Sequence, residues 1–264
     1  ENLADVLFNL PDYAEELIEG ILRQGHKMLL VGPSKSGKSF SLIELCIAIA
    51  EGTKWMGRQC KQGDVLYVNF ELDRASCIHR FKDVYQTLRL TPNNANRIFI
   101  WNLRGKTPAL DQLVPKLIRR AEKKKYIAVV VDPIYKVITG DENSASEMAK
   151  FCNQFDKIAD ALGASVIYAH HHSKGAQGGK KSMDRASGSG VFARDPDALL
   201  DMIELDMNKE VKEYFINEAK VEAMHAVLDK YVPKWKTYIY QTKKTDDHDF
   251  EAMNDYCAEM LEFE

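Results

Sequence analysis

The chain of 264 residues has no run of about 18 apolar residues, so no membrane-spanning helix is expected. Its first residues, "ENLADVLFNL", lack a basic stretch ahead of an apolar core, which argues against a secretory signal. Cysteine is sparse: Cys46, Cys60, Cys77, Cys152 and Cys257 are scattered, odd in number, and form no C-x-x-C pair. That pattern fits reduced thiols in a cytoplasmic protein rather than a disulfide framework. No internal repeat is present. The net charge of −3 does not by itself suggest a nucleic-acid partner.

What is there is ordinary globular composition, 45% hydrophobic and 28% charged, enough for one large α/β domain with a core. The charge is unevenly spread. Residues from 201 onward hold 16 acidic against 8 basic residues, a net of −8, and residues 1–200 carry +5. A mildly basic body with an acidic tail permits an anionic partner without requiring one.

Apolar runs alternate with helical patterns. Strands are expected at 27–32, 64–72, 97–103, 126–133, 164–172 and 197–205. Helices are expected at 12–22, 38–52, 74–88, 109–125 and 144–163, with Pro115 in the first turns of its helix or kinking it. "YIAVVVDP" has no polar alternation, as a strand covered on both faces should. This order predicts a mainly parallel sheet flanked by helices. The core is expected over 1–205. Residues 206–264 break the alternation and read as a mostly helical, acidic extension of unknown role.

Residues 32–39, "GPSKSGKS", match G-x-x-x-x-G-K-[ST] and lie between a buried strand and a helix. In such a P-loop, Gly32 and Gly37 let the backbone wrap an anion. Pro33, Ser34, Lys35 and Ser36 form the cradle, and Phe40 adjoins it. Backbone N–H groups and the helix N-terminus hold phosphates. Lys38 supplies charge to the β- and γ-phosphates of ATP, and Ser39 is placed to ligate Mg²⁺. Asp132, after four apolar residues in "AVVVDP", is the second expected Mg²⁺ ligand. No Glu follows it. Glu71, after "VLYVNF", is either the residue that activates water or a surface carboxylate.

His170, His171 and His172 stand in a row in "YAHHHSKG". On an extended chain they point to alternating faces, so they do not converge on one metal.

Together, "MLLVGPSKSGKS", "GDVLYVNFEL", "VVVDP" and "SVIYAHHHSKG", in this order over residues 15–205, resemble the RecA-fold ATPases of the RepA hexameric replicative helicase type. The resemblance implies a RecA-like core with Glu71 as catalytic base. It also implies a γ-phosphate sensor at the end of the histidine strand that signals to a DNA-facing loop. His170 to His172 occupy that place, one or two turned to the nucleotide and the others packing or facing a neighbouring subunit. A trans-acting arginine is also implied. Arg185, in "RASGSG", matches the family's Arg-Gly-Ser-Ser segment imperfectly, and Arg194 is the second candidate, with pairing to Asp195 or Asp197 as its structural alternative. Lys174, Lys180 and Lys181 suit a phosphate backbone or form a solvated loop.

The expectation is therefore a cytoplasmic hexameric ring that binds ATP and Mg²⁺, releases ADP, and translocates on single-stranded DNA. The alternatives are a RecA/KaiC-like ATPase acting in recombination or regulation without unwinding, and an assembly protein whose oligomeric state ATP controls.

Overall fold

A computed structural model describes residues 2–106, 108–172 and 190–202. The expected parallel α/β architecture is present. Six strands form one sheet: β3 (Lys27–Gly32), β6 (Asp64–Asn69), β7 (Ile98–Asn102), β8 (Tyr126–Asp132), β9 (Ser165–His171) and β10 (Ala198–Asp201). Their order is β10-β3-β9-β8-β6-β7, and every pairing is parallel. A one-turn helix, α1 (Leu3–Val6), precedes the sheet in the chain. Helices α2 (Lys38–Glu51), α3 (Arg74–Thr87), α4 (Leu110–Ala121) and α5 (Ala145–Leu162) connect its strands. No described helix is long and apolar enough to cross a membrane.

Local chemistry sets these helices. Asp73 caps α3 by accepting from Ser76 N at 3.0 Å, and Ser144 caps α5 by accepting from Glu147 N at 3.4 Å. Gly163 ends α5 in the left-handed conformation at φ 60°. Pro115 lies inside α4, in its second turn. In the core, Leu29, Val31, Leu66, Val68, Val129 and Val131 pack with Phe151, Phe155 and Tyr168, and Phe155 stacks on Tyr168 at 4.3 Å between ring centroids. Cys46, Cys60, Cys77 and Cys152 are buried free thiols.

The helix expected at 12–22 is absent. In its place stands a hairpin of β1 (Glu16–Ile18) and β2 (Leu22–Arg23). Leu17, Ile18 and Leu22 are buried, so the apolar spacing is a true burial signal read with the wrong period. Two things decide for strand. Gly20 adopts φ 67°, and its N–H donates to Glu16 Oε2 at 3.0 Å, which makes the turn. The partners are also distant in sequence: Glu19 N donates to Gln59 O at 2.9 Å, Lys61 N to Leu17 O at 2.9 Å, and Ile18 bridges Cys60. A second hairpin, β4 (Lys54–Trp55) with β5 (Arg58–Gln59), supplies that neighbour.

At the start of β3, Lys27 is nearly buried. Its ammonium lies 2.6 Å from Asp156 and 2.8 Å from Asp195, and its backbone N–H donates to Asp197 Oδ2 at 2.8 Å. Short helix α6 (Val191–Arg194) and β10 are thereby held to β3. The expected extension at 206–264 lies outside the described residues.

Candidate nucleotide site

The parallel sheet brings its strand ends to one edge. Gly32 is in register with His171, and Asn69 is in register with both Asp132 and Asn102. Loops at this edge carry the expected site residues. Gly32 has no room for a side chain: a Cβ there would come within 2.9 Å of Ser36 Oγ and 3.0 Å of Met202 Cβ. Gly37 takes φ 87° and opens α2, so its left-handed turn aims the helix N-terminus into the loop. Pro33 and Ser36 are half-buried, and Ser34 and Lys35 are exposed. Ser36 Oγ is buried without a hydrogen-bond partner among the described residues, as a group waiting for a ligand oxygen would be.

Lys38 is 6% exposed, and its ammonium donates to Gly32 O at 2.8 Å and Pro33 O at 2.5 Å. Burial lowers its pKa to about 8, while the carboxylates of Asp132 and Glu71 pull it the other way. Asp132 is 4% exposed. Burial pushes its pKa up; hydrogen bonds from Tyr67 and Ser39, and the charge of Lys38, oppose that rise. The Tyr67 hydroxyl donates to Asp132 Oδ2 at 2.6 Å.

Glu71 is exposed and stands two residues past the end of β6, which stops at Asn69 and not at the expected residue 72. Its turn is built by Asn69, a residue sequence reasoning missed. The buried Asn69 side chain accepts from Glu71 N at 3.2 Å and Leu72 N at 2.9 Å. It donates to Leu72 O at 2.7 Å and Asn102 Oδ1 at 2.8 Å. Short Asn side chains close such turns on their own backbone, which was the available signal.

The three histidines separate as alternation requires. His171 lies within electrostatic reach of Lys38 and Glu71, and its ring is 5.2 Å from that of Tyr135. Burial, then the charge of Lys38, lowers its pKa below 6.5, so it is neutral near pH 7. Its Nδ1 has no partner among the described residues. His170 packs instead against Phe192 of α6 at 4.7 Å. His172 Nε2 sits 2.6 Å from Asp201 Oδ1 on β10.

The structure thus gathers Lys38, Ser39, Asp132, Glu71 and His171, and packs His170 elsewhere. Phe40 is 45% exposed, with the Arg80 guanidinium 4.8 Å over its ring. Arg194 is exposed and lies against Gly190. Asp195 and Asp197, its possible structural partners, are both engaged by Lys27. Arg185, Lys174, Lys180 and Lys181 lie outside the described residues. Among those described, no group of three or more His, Cys, Asp or Glu could cage a metal. Mg²⁺ in a nucleotide site needs none, because one carboxylate, a hydroxyl, phosphates and water suffice, and Ser39 beside Asp132 offers that donor set.

Fold and site together define a RecA-like P-loop ATPase. The chain belongs to the AAA domain family, whose pattern matches residues 2–177. Among solved structures it is similar to one titled as an ATPase domain, at 13% identity, with a TM-score of 0.53 over 71% of this chain and 72% of that one. At that identity the likeness shows the fold.

Removing the Asn69 carboxamide should loosen Glu71 without touching the phosphate cradle. With Glu71 as the expected water-activating residue, Asn69→Ala is expected to keep ATP affinity within about twofold and to slow single-turnover hydrolysis by about 10- to 100-fold. Equal losses in affinity and rate would show that Asn69 supports the fold as a whole rather than this turn.

Proposed function

We propose that this chain is an ATP-driven motor that couples hydrolysis to movement on single-stranded DNA, as a ring of copies. The observation that carries the reading is the gathering of Lys38, Asp132, Glu71 and His171 at one edge of a parallel sheet. The loop from Gly32 to Ser39 wraps the triphosphate with its N–H groups. Lys38 leaves the carbonyls of Gly32 and Pro33 for the β- and γ-phosphates. Ser39 and Asp132 would hold Mg²⁺, which when bound neutralises charge on the phosphate oxygens.

Glu71 takes a proton from water as the water oxygen bonds to the γ-phosphorus. The bond from that phosphorus to the β–γ bridging oxygen breaks, and ADP and phosphate leave. Neutral His171 donates one N–H to a γ-phosphate oxygen and loses that partner when phosphate departs. Its ring contact with Tyr135, just past Asp132, carries the change to the segment after β8. Arg185 of the neighbouring copy completes the site in trans.

The test is ATP turnover with and without single-stranded DNA, paired with a forked-duplex unwinding assay. The reading expects DNA to stimulate turnover and the fork to open. Stimulation without unwinding would favour a RecA/KaiC-like regulator, and turnover indifferent to DNA would favour an assembly protein.

A further inference from the structure

Asp132 sits at the end of β8 with little access to water, met by the hydroxyls of Tyr67 and Ser39. Oδ2 accepts from the Tyr67 hydroxyl at 2.6 Å. The Ser39 side, with the P-loop, is where nucleotide would lie. Tyr67 comes from β6, the strand next to β8, where it is in register with Val130, two residues before Asp132. Its ring is wholly buried and meets Phe81 of α3 edge-on at 5.4 Å between centroids. The register of β6 against β8 brings the hydroxyl to Asp132, so the strand pairing itself aims it.

A carboxylate at a strand end can rotate about its last side-chain bond. Fixing one oxygen fixes the other. We propose that Tyr67 is a positioning residue for the divalent cation: by holding Oδ2 of Asp132, it presents the remaining oxygen toward Ser39 in the orientation a nucleotide-bound cation requires. This rests on the motor reading above, and it assigns a role to a residue outside the phosphate-binding loop and the strand that carries Asp132. Hydrogen-bond partners that orient a metal ligand in this way typically contribute about 10- to 100-fold in metal affinity.

The variant is Tyr67→Phe, which removes one oxygen and keeps the ring. Its control is Phe81→Leu, which removes one edge contact to the ring and keeps the hydroxyl and its strand register. Mn²⁺, which reports its own binding by electron paramagnetic resonance, is titrated into each protein with saturating ADP. Affinity for a fluorescent ADP analogue is measured in EDTA. Tyr67→Phe is expected to weaken Mn²⁺ binding by about 10-fold or more, with metal-free nucleotide affinity kept within about twofold. Phe81→Leu is expected to lower thermal stability and leave Mn²⁺ affinity within about threefold. The inference is overturned if Tyr67→Phe binds Mn²⁺ like the parent protein, if it loses metal-free nucleotide binding to the same degree, or if Phe81→Leu weakens the metal equally. If the parent protein shows no ADP-dependent Mn²⁺ site at all, the motor reading itself fails.

Discussion

Glu71→Gln is expected to bind ATP as the parent chain does and to hydrolyse it about 10²–10⁴-fold more slowly. Glutamine keeps the size and hydrogen-bonding reach of the side chain and removes its basicity. The backbone of the turn should not move, because Asn69 bonds the N–H of residue 71 and not its side chain. Binding and hydrolysis should therefore separate: an equilibrium nucleotide titration unchanged, and a phosphate-release assay nearly silent. Glu71 is one of two carboxylates that act on the Lys38 ammonium, so its loss also removes a favourable charge from that lysine. ATP brings more negative charge than is lost, which is why affinity should survive. Unchanged turnover would mean that water is activated by another group, and the role carried over from the helicase resemblance would be wrong at this position.

The second large effect needs two copies. Arg185→Ala is expected to leave ATP binding intact and to cost about 10³-fold or more in turnover, the usual scale for a trans arginine. Lys38→Ala removes the charge that holds the β- and γ-phosphates and should be inactive from the other side of the interface. Each variant alone is silent. Mixed in one assembly, some interfaces pair an intact P-loop with an intact Arg185, and partial ATPase activity should return. If mixed assemblies form and nothing returns, Arg185 is not the trans residue, and the same experiment moves to Arg194. Arg194 is a fair substitute on structural grounds, since its acidic neighbours in the chain are committed to Lys27. Failure of both would place the whole site within one subunit and remove the main support for a ring motor.

How much of this was legible follows from where each signal lives. Strands β3, β8 and β9 are short apolar runs buried on both faces, and α2, α3 and α5 carry their own caps or stops, so their ends were readable to within a residue or two. The gathering of Lys38, Ser39 and Asp132 was readable because the P-loop motif and the parallel pattern together put strand ends on one edge. The segment 12–22 was misread because its partners, Gln59 and Lys61, lie far along the chain and nothing local announces them. Tyr67 and Asn69 were missed for a related reason. Each looks like one more residue of a strand until register sets Tyr67 two residues before the level of Asp132 and Asn69 beside Asn102. Among the histidines, alternation was foreseen. Which ring faced Lys38 was not, because that depends on the pleat of β9 against β3.

Lys38 rests on the carbonyl oxygens of Gly32 and Pro33, inside the loop that is to hold phosphate. The loop is thus latched by its own cation. Two neutral acceptors keep the ammonium there, and only a ligand with stronger negative charge at that depth can draw it off. The latch therefore ties the freeing of the lysine to the arrival of an anion inside the loop.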